Sequence, residues 1–359
     1  MQAFKMALSL AALGAVLASA AADGNAVYIE TNDASNNQVL VYTHGGNGVL
    51  SLAGSYSTGG LGTGAAQGLG SQGAVTLSED GRLLFAVDAG SNDIAVFRVD
   101  GPHLHLAGNF PSGGTKPISV TESRRLVYVL DAGGDGNIAG FRSDEHGNLE
   151  PVTLSSRPLS GAGVAAVQIQ FDPWGDALVV MEKGTNTIDT WPMFGDRPGF
   201  LYTNPSNGAA PFGFDFDNRG HLIVSEAAAS AASSYQLGQA GWSVISGSVA
   251  NNQAAACWLT VTPNGKYAYT ANAGNGTLSG YAIGHDGSIS LLTAGGLTAT
   301  VGAGSHPVDM GFGSEGEFLY VLANGNGTIA EFRVHPDGSL TSIGTVTGLP
   351  ISVQGLAAR

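Results

Sequence analysis

The chain has one cysteine, Cys257, in 359 residues, so no intramolecular disulfide can staple the fold. Packing alone must hold it. A lone thiol between Ala256 and Trp258 reads as a small buried hydrophobe with no activating neighbour. Charge is also scarce, at 12% of residues, and its balance is acidic: 14 Lys and Arg against 28 Asp and Glu, a formal net charge of −14. That balance excludes nucleic acid and anionic membrane surfaces as expected partners. Beyond the first twenty residues no apolar run approaches the roughly 20 residues of a membrane span. Long stretches of 3.6-residue periodicity are missing, which excludes a helical solenoid. No Gly-x-Ser-x-Gly elbow is present, so a serine-hydrolase triad has no support. The segment Asp131 to Asn137 lacks the alternating oxygens of a calcium loop, and His103 with His105 lacks a third zinc ligand. No cofactor or metal is expected.

What the chain does have is glycine, 55 residues of it, and 43% hydrophobic residues. The glycines follow no collagen period and read as turn punctuation in a strand-rich protein with a large core. The first twenty residues read as a secretory signal. Lys5 supplies the charge, Met6 to Leu17 the apolar run, and Ala18-Ser19-Ala20 the cleavage site. The expectation is a secreted or periplasmic protein with residues 21–359 as its single domain.

That domain is built from one recurring unit. A copy runs from Gly73 to Asp88, another from Trp258 to Asn272. Aligned on Gly81, Arg124, Gly175, Gly220, Gly265 and Gly316, the copies are spaced 43, 51, 45, 45 and 51 residues apart. Such spacing matches the four-stranded blades of a β-propeller, typically about 40–50 residues each. The chain ends complete one more unit. Val27 to Glu30, Gln38 to Tyr42 and Val49 to Ser55 read as a blade without its first strand, and Gln354-Gly355-Leu356-Ala357 resembles the start of the first strand Gln72-Gly73-Ala74-Val75. The expected fold is all-β, a seven-bladed β-propeller closed by its two termini, acting as a monomer. Gly60 to Ala65 loosely matches a dinucleotide fingerprint, but no βαβ context surrounds it, and Ser57 to Gln72 reads as a flexible inter-blade loop.

A propeller gathers equivalent positions around one axis. The residues ending the second strands are Glu30, Asp88, Asp131, Glu182, Glu226, Asn272 and, shifted by one, Asn324. Those leading into the first strands are Gln72, Lys116, Gln168, Phe212, Trp258, His306 and Gln354. Together they predict a polar, acid-rich channel mouth suited to a hydroxylated ligand. Crowded carboxylates raise a pKa toward a useful range, His306 can pass a proton, and Lys116 can hold an oxyanion.

The segments Val180 to Ile188, Gly213 to Phe216 with Ser225-Glu226-Ala227, Ala254 to Trp258, Tyr269 to Gly274 and Phe318 to Asn324 resemble the seven-bladed lactonase family. That family includes propeller-type 6-phosphogluconolactonases and carboxymuconate-lactonising enzymes. The resemblance covers nearly all of residues 21–359 and points to an exported branch. It implies metal-free opening or closing of a lactone at the channel mouth, by His, Glu and Arg side chains. Glu182, Glu226 and His306 match by position, but no Arg falls in the ring, and Lys116 stands nearest to one. The leading expectation is hydrolysis of a neutral or weakly charged lactone, such as an aldonolactone. Glu182 or Glu226 activates water, and His306 protonates the leaving oxygen. Lys116, Gln168, Phe212, Trp258, Asn272 and Asn324 bind substrate. The alternative is a non-catalytic propeller that binds a protein or glycan. A His–carboxylate pair in a deep pocket favours the enzyme; a channel plugged by aromatics favours the binder.

Overall fold

The computed structural model describes residues 25–66, 68–238 and 241–359. The expected leader, residues 1–20, lies outside them. Among the described residues every regular element is a strand, and the strands form seven antiparallel sheets of four or five. Each sheet is a blade, with sequential strands running from the axis to the rim.

Blade 1 shows how the ring closes. Its outer strands are Ala26–Glu30, Gln38–His44 and Leu50–Ser57, and its innermost strand is the C-terminal Gln354–Ala358. Ile29 pairs with Leu356 and Tyr28 with Ala357. Joining the chain ends within one sheet leaves no blade short of a strand at the axis, and no edge open between blades.

The turns between first and second strands explain the repeat glycines. Gly81, Gly175, Gly220, Gly265 and Gly316 all have φ between 67° and 79°, a region a Cβ disfavours. The residue three before them often caps the turn with its side chain. Ser78 Oγ accepts from Leu83 N, Asp172 Oδ1 from Ala177 N, Asp217 Oδ1 from His221 N and Thr262 Oγ1 from Tyr267 N. In blade 3 Arg124 and Arg125 adopt the same left-handed region without glycine.

An innermost strand exposes one row of backbone groups to the channel, and buried backbone must be paired. Here inner side chains of several blades serve the next blade's backbone. Ile169 N donates to Ser119 Oγ at 3.1 Å and Phe171 N to Thr121 Oγ1 at 3.2 Å. Val261 N donates to Asp215 Oδ2 at 2.9 Å, and Leu356 N to Asp309 Oδ2 at 3.1 Å. Burial pushes Asp309 up to about 7, so it sits near its titration point inside the ring.

Candidate functional site

The segment read as a flexible loop is the central structural part of the site. Residues 68–72 cross the channel and bond to four other blades. Leu69 N donates to Gln354 Oε1, and Ser71 O accepts from both Gln354 Nε2 and Trp258 Nε1. Ser71 Oγ reaches Ile118 O, and Gln72 N reaches Val167 O. The Gln72 amide spans to blade 6, accepting from Leu259 N at 3.1 Å and donating to Leu259 O at 2.6 Å. It thus replaces a strand partner. Ser71 is fully buried. The channel is closed by the chain's own backbone, so a ligand approaching this face meets the mouth above the plug.

The expected ring of carboxylates does not line that mouth. Glu30, Asp88, Asp131, Glu182 and Glu226 are all 0% exposed. Asp88, Asp131 and Glu182 are clasps between blades, because the loop leaving one blade donates to the acid of the next, whereas Glu30 and Glu226 are held by donors of their own blades. Thr58 Oγ1 donates to Asp88 at 2.7 Å and Ser112 Oγ to Asp131 at 2.6 Å. Asn37 Nδ2 bridges Glu30 and Asp88 at 2.8 Å each. Asn272 takes the same place as an amide, accepting from Asn251 Nδ2 at 2.8 Å. Burial raises Glu30 well above the usual carboxylate range and pushes Asp131 up to about 6. Glu182 accepts from Ser160 N and Oγ, Thr185 Oγ1 and Thr187 Oγ1; Glu226 accepts from Ser233 Oγ and Ser248 Oγ. Burial tends to raise Glu182, yet the hydrogen bonds from Asp189, Ser160 and Thr185 outweigh it and hold it low. Asp189, on the adjacent strand opposite Val180, is raised to about 7 by burial and by Glu182.

Other expected ligand groups are committed too. Gln168 accepts from Phe214 N and donates to Phe214 O, both at 2.9 Å. Phe212 and Trp258 are buried, 4.8 Å apart by centroid. Trp258 spends its only donor on the plug.

Two sets of equivalent positions do carry free chemistry. The residue before the innermost strand is left-handed in blades 3 to 7: Lys116, Ala165, Ala210, Ala255 and His306, with φ from 48° to 57°. Its carbonyl accepts from the residue after the second strand: Ala132, Lys183, Ala227, Ala273 or Asn324, respectively. Alanine fills most of these places. The exceptions are Lys116, Lys183, His306 and Asn324. Asn324 is therefore the equivalent of Lys183, and Ala323 that of the clasp acids, which explains its one-residue shift.

Lys183 and Asn324 flank the plug. A Cβ on Gly70 would lie 4.0 Å from Lys183 Nζ, and one on Gly68 3.5 Å from Asn324 Nδ2. Lys183 Nζ sits 5.1 Å from the centroid of Phe212, and burial lowers its pKa, opposed by Cys257 and aided by Lys116. Burial pushes the Cys257 thiol up to about 11, which keeps it protonated at neutral pH. His306 is half-buried, and its Nδ1 lies 3.0 Å from Asn324 Oδ1. With the Asn324 amide oxygen turned toward it, Nδ1 is the donor of this contact and Nε2 the nitrogen left to accept, while Asn324 Nδ2 is buried without a partner among the described residues. Nε2 makes no hydrogen bond within the described residues. Lys183 is not among the residues expected from the sequence, where the strand-ending position is Glu182. The signal is that one-residue shift: the position past the second strand is alanine in four blades and polar in blades 1, 4 and 7, as Thr31, Lys183 and Asn324.

The fold and site define a closed β-propeller whose channel is plugged by its own residues 68–72, with Lys183 and Asn324 beside the plug. Within that class, the family described as "Lactonase, 7-bladed beta-propeller" matches residues 21–157. No curated protein matches the chain. Among solved structures, a Bacteroides uniformis protein provisionally named a 6-phosphogluconolactonase is similar at TM-score 0.76 and 17% identity, over 92% of this chain and 99% of that one. The periplasmic gluconolactonase PpgL of Pseudomonas aeruginosa is similar at TM-score 0.72 and 16% identity, over 93% and 98%. A virginiamycin B lyase from Staphylococcus aureus follows at TM-score 0.54 and 14% identity, over 77% and 84%. The chain thus resembles the lactonase propellers in sequence over residues 21–157 and in fold over most of its length.

Proposed function

We propose that the protein is an exported lactonase-type hydrolase that opens a small-molecule lactone at the mouth above the plug. The observation that supports this most is the His306–Asn324 pair, which engages Nδ1 and leaves Nε2 without a hydrogen-bond partner among the described residues. In this reading Nε2 takes a proton from water, and the hydroxide adds to the lactone carbonyl. Lys183, with Lys116 nearby, stabilises the oxyanion. Collapse breaks the ring C–O bond, and His306 returns its proton to the leaving oxygen, giving a hydroxy acid. Glu182 clasps blade 4, which carries Lys183, to blade 3. Export rests on the pattern of residues 1–20.

Hydrolysis of a lactone panel, followed by acid release in a pH-stat, tests the reading. Removing a general base costs about 10²–10⁴-fold, so His306→Gln should lose at least a hundredfold in kcat/KM. Retention of the rate would overturn the assignment. The plug supports a second reading, a binding propeller without turnover, since it leaves a shallow mouth over a blocked channel. His306 also pairs with an amide and not a carboxylate. Absence of wild-type turnover across the panel would favour that reading.

A further inference from the structure

Blade 7 grips the closing blade through two buried carboxyls. Asp309 lies on its innermost strand, Pro307–Phe312, and is 2% exposed. Its Oδ1 accepts from Met310 N at 2.9 Å. Its Oδ2 accepts at 3.1 Å from Leu356 N, on the C-terminal strand that completes blade 1. Glu331 lies on the third strand, Thr328–Val334, and is 1% exposed. Its Oε1 accepts at 3.1 Å from Leu50 N, at the start of the outermost strand of blade 1. The side chain runs under Gly344, where a Cβ would fall 2.0 Å from Oε2. In blades 2 to 6 the position equivalent to Glu331 holds Val96, Gly140, Thr190, Ser234 or Gly280, none of them ionisable.

What Asp309 holds also bears on the plug. Gln354, two residues before Leu356 on the same strand, accepts from Leu69 N and donates to Ser71 O. Asp309 further takes a hydrogen bond from the backbone of Gly73, just past the plug. The C-terminal strand thus links this carboxyl to the segment that closes the channel.

Burial raises both carboxyls, against the backbone N–H groups that favour the charged form. Beside Glu331 stands Tyr320, whose hydroxyl crosses the seam to Gly48 O at 3.0 Å. His44 packs against Phe318 and Tyr320 and donates from Nδ1 to Gly45 O at 2.8 Å; its Nε2 is buried without a partner among the described residues. Arg333 sits over Phe318 and lies 3.9 Å from Glu317. Arg359 ties the end of the closing strand to Gly81 O and Gly101 O of blade 2. Among the described residues no cation pairs with either carboxyl. Ionising one of them therefore creates a buried charge that water entering the seam would relieve.

We propose that this seam is a proton-dependent latch: protonated Asp309 and Glu331 keep the closing strand and the plug in place, and their ionisation loosens both. The sign follows from folded-state values that lie above the ordinary ones. The latch is fully fastened below about pH 4, the ordinary carboxyl range, and is released as pH rises toward 7.

Hydrogen exchange read by mass spectrometry on the full-length protein tests this. Wild type and variant are compared at equal pH, so that intrinsic exchange and the contribution of His44 cancel. Asp309→Asn keeps an acceptor for Leu356 N and cannot ionise. The ratio of wild-type to variant exchange at residues 354–358 and 69–72 should grow at least about tenfold between pH 4.5 and pH 7.5. Glu331→Gln keeps an acceptor for Leu50 N and should do the same at residues 50–57, which serves if Asp309→Asn does not fold. Residues 177–182 of blade 4 should exchange alike in all three proteins. Seam ratios that stay flat with pH, or that grow equally in blade 4, overturn the proposal.

Discussion

His306 and Asn324 are joined twice. The His306 carbonyl accepts from Asn324 N at 3.3 Å, and His306 Nδ1 lies 3.0 Å from Asn324 Oδ1. The backbone bond belongs to every blade from 3 to 7, but only in blade 7 do both partners carry side chains that meet. A repeated backbone frame thus becomes a site at one place by a change of two side chains. Left-handed backbone at a non-glycine residue costs about 1 kcal/mol or more. Its recurrence in five blades shows the ring imposing it.

Substitution of Asn324 should therefore act through the imidazole. Asn324→Asp places a carboxylate beside Nδ1, favours the imidazolium, and moves the acidic limb of the kcat/KM profile to higher pH by about one unit or more. Asn324→Leu removes the acceptor and should lower kcat more than it raises KM. An unchanged profile in Asn324→Asp would separate His306 from the rate-limiting chemistry.

The buried glutamates should report on stability. Glu226→Gln replaces an acceptor-only group with one whose amide N–H₂ faces the Ser233 and Ser248 hydroxyls. An orphaned buried polar group costs about 1–3 kcal/mol, and urea unfolding should show that loss, with Glu182→Gln behaving alike. Turnover should stay within a few-fold of wild type. A folded Glu226→Gln protein losing a hundredfold in activity would restore Glu226 as a base.

Asp189 gives a pH dependence with a definite sign. Its folded pKa of about 7 lies above its ordinary value of 3.8, because of burial and the neighbouring Glu182. The folded state therefore holds a proton the unfolded state has released. The resulting stabilisation is complete below about pH 4 and is lost as pH rises through 7. Asp189→Asn keeps an acceptor for Thr203 Oγ1, now 2.7 Å from Asp189 Oδ1, and cannot ionise. Relative to wild type, the variant's Tm should improve steadily from pH 5 to pH 8. Asp309 and Asp131 titrate in the same direction in both proteins and cancel in the comparison. A wild-type-to-variant gap that stays constant with pH would refute the proton held at Asp189.

Blade number, closure and turn positions were legible because they follow from local rules. Gly81 and its equivalents mark left-handed turns, and continuous apolar runs such as Leu83 to Val87 mark strands buried on both faces. The layout of the mouth was less legible. The period-2 alternation says that Glu182 and Lys183 point to opposite sides, but not which side meets solvent. That depends on Ser160, which comes from the preceding blade to cover Glu182. Likewise, nothing local in Gly68-Leu69-Gly70-Ser71-Gln72 distinguishes a flexible loop from a plug. Its partners Ile118, Val167, Leu259 and Gln354 are distant in sequence. Contacts set by ring closure are invisible until the ring is built.

The plug itself can be tested from both of its ends. Gln72 is 8% exposed, and its amide is the hydrogen-bond partner of Leu259 N and O. Gln72→Leu keeps the bulk and orphans both groups, each worth about 1–3 kcal/mol. From the opposite side, a Cβ on Gly213 would lie 2.2 Å from Gln72 Oε1 and 2.6 Å from Leu259 N. Gly213→Ala should therefore displace the same amide without touching it chemically. If the two substitutions break one contact, the double variant should be less destabilised than the sum of the singles, a coupling read by urea unfolding. Strict additivity would mean that the Gln72 amide does not hold the channel closed.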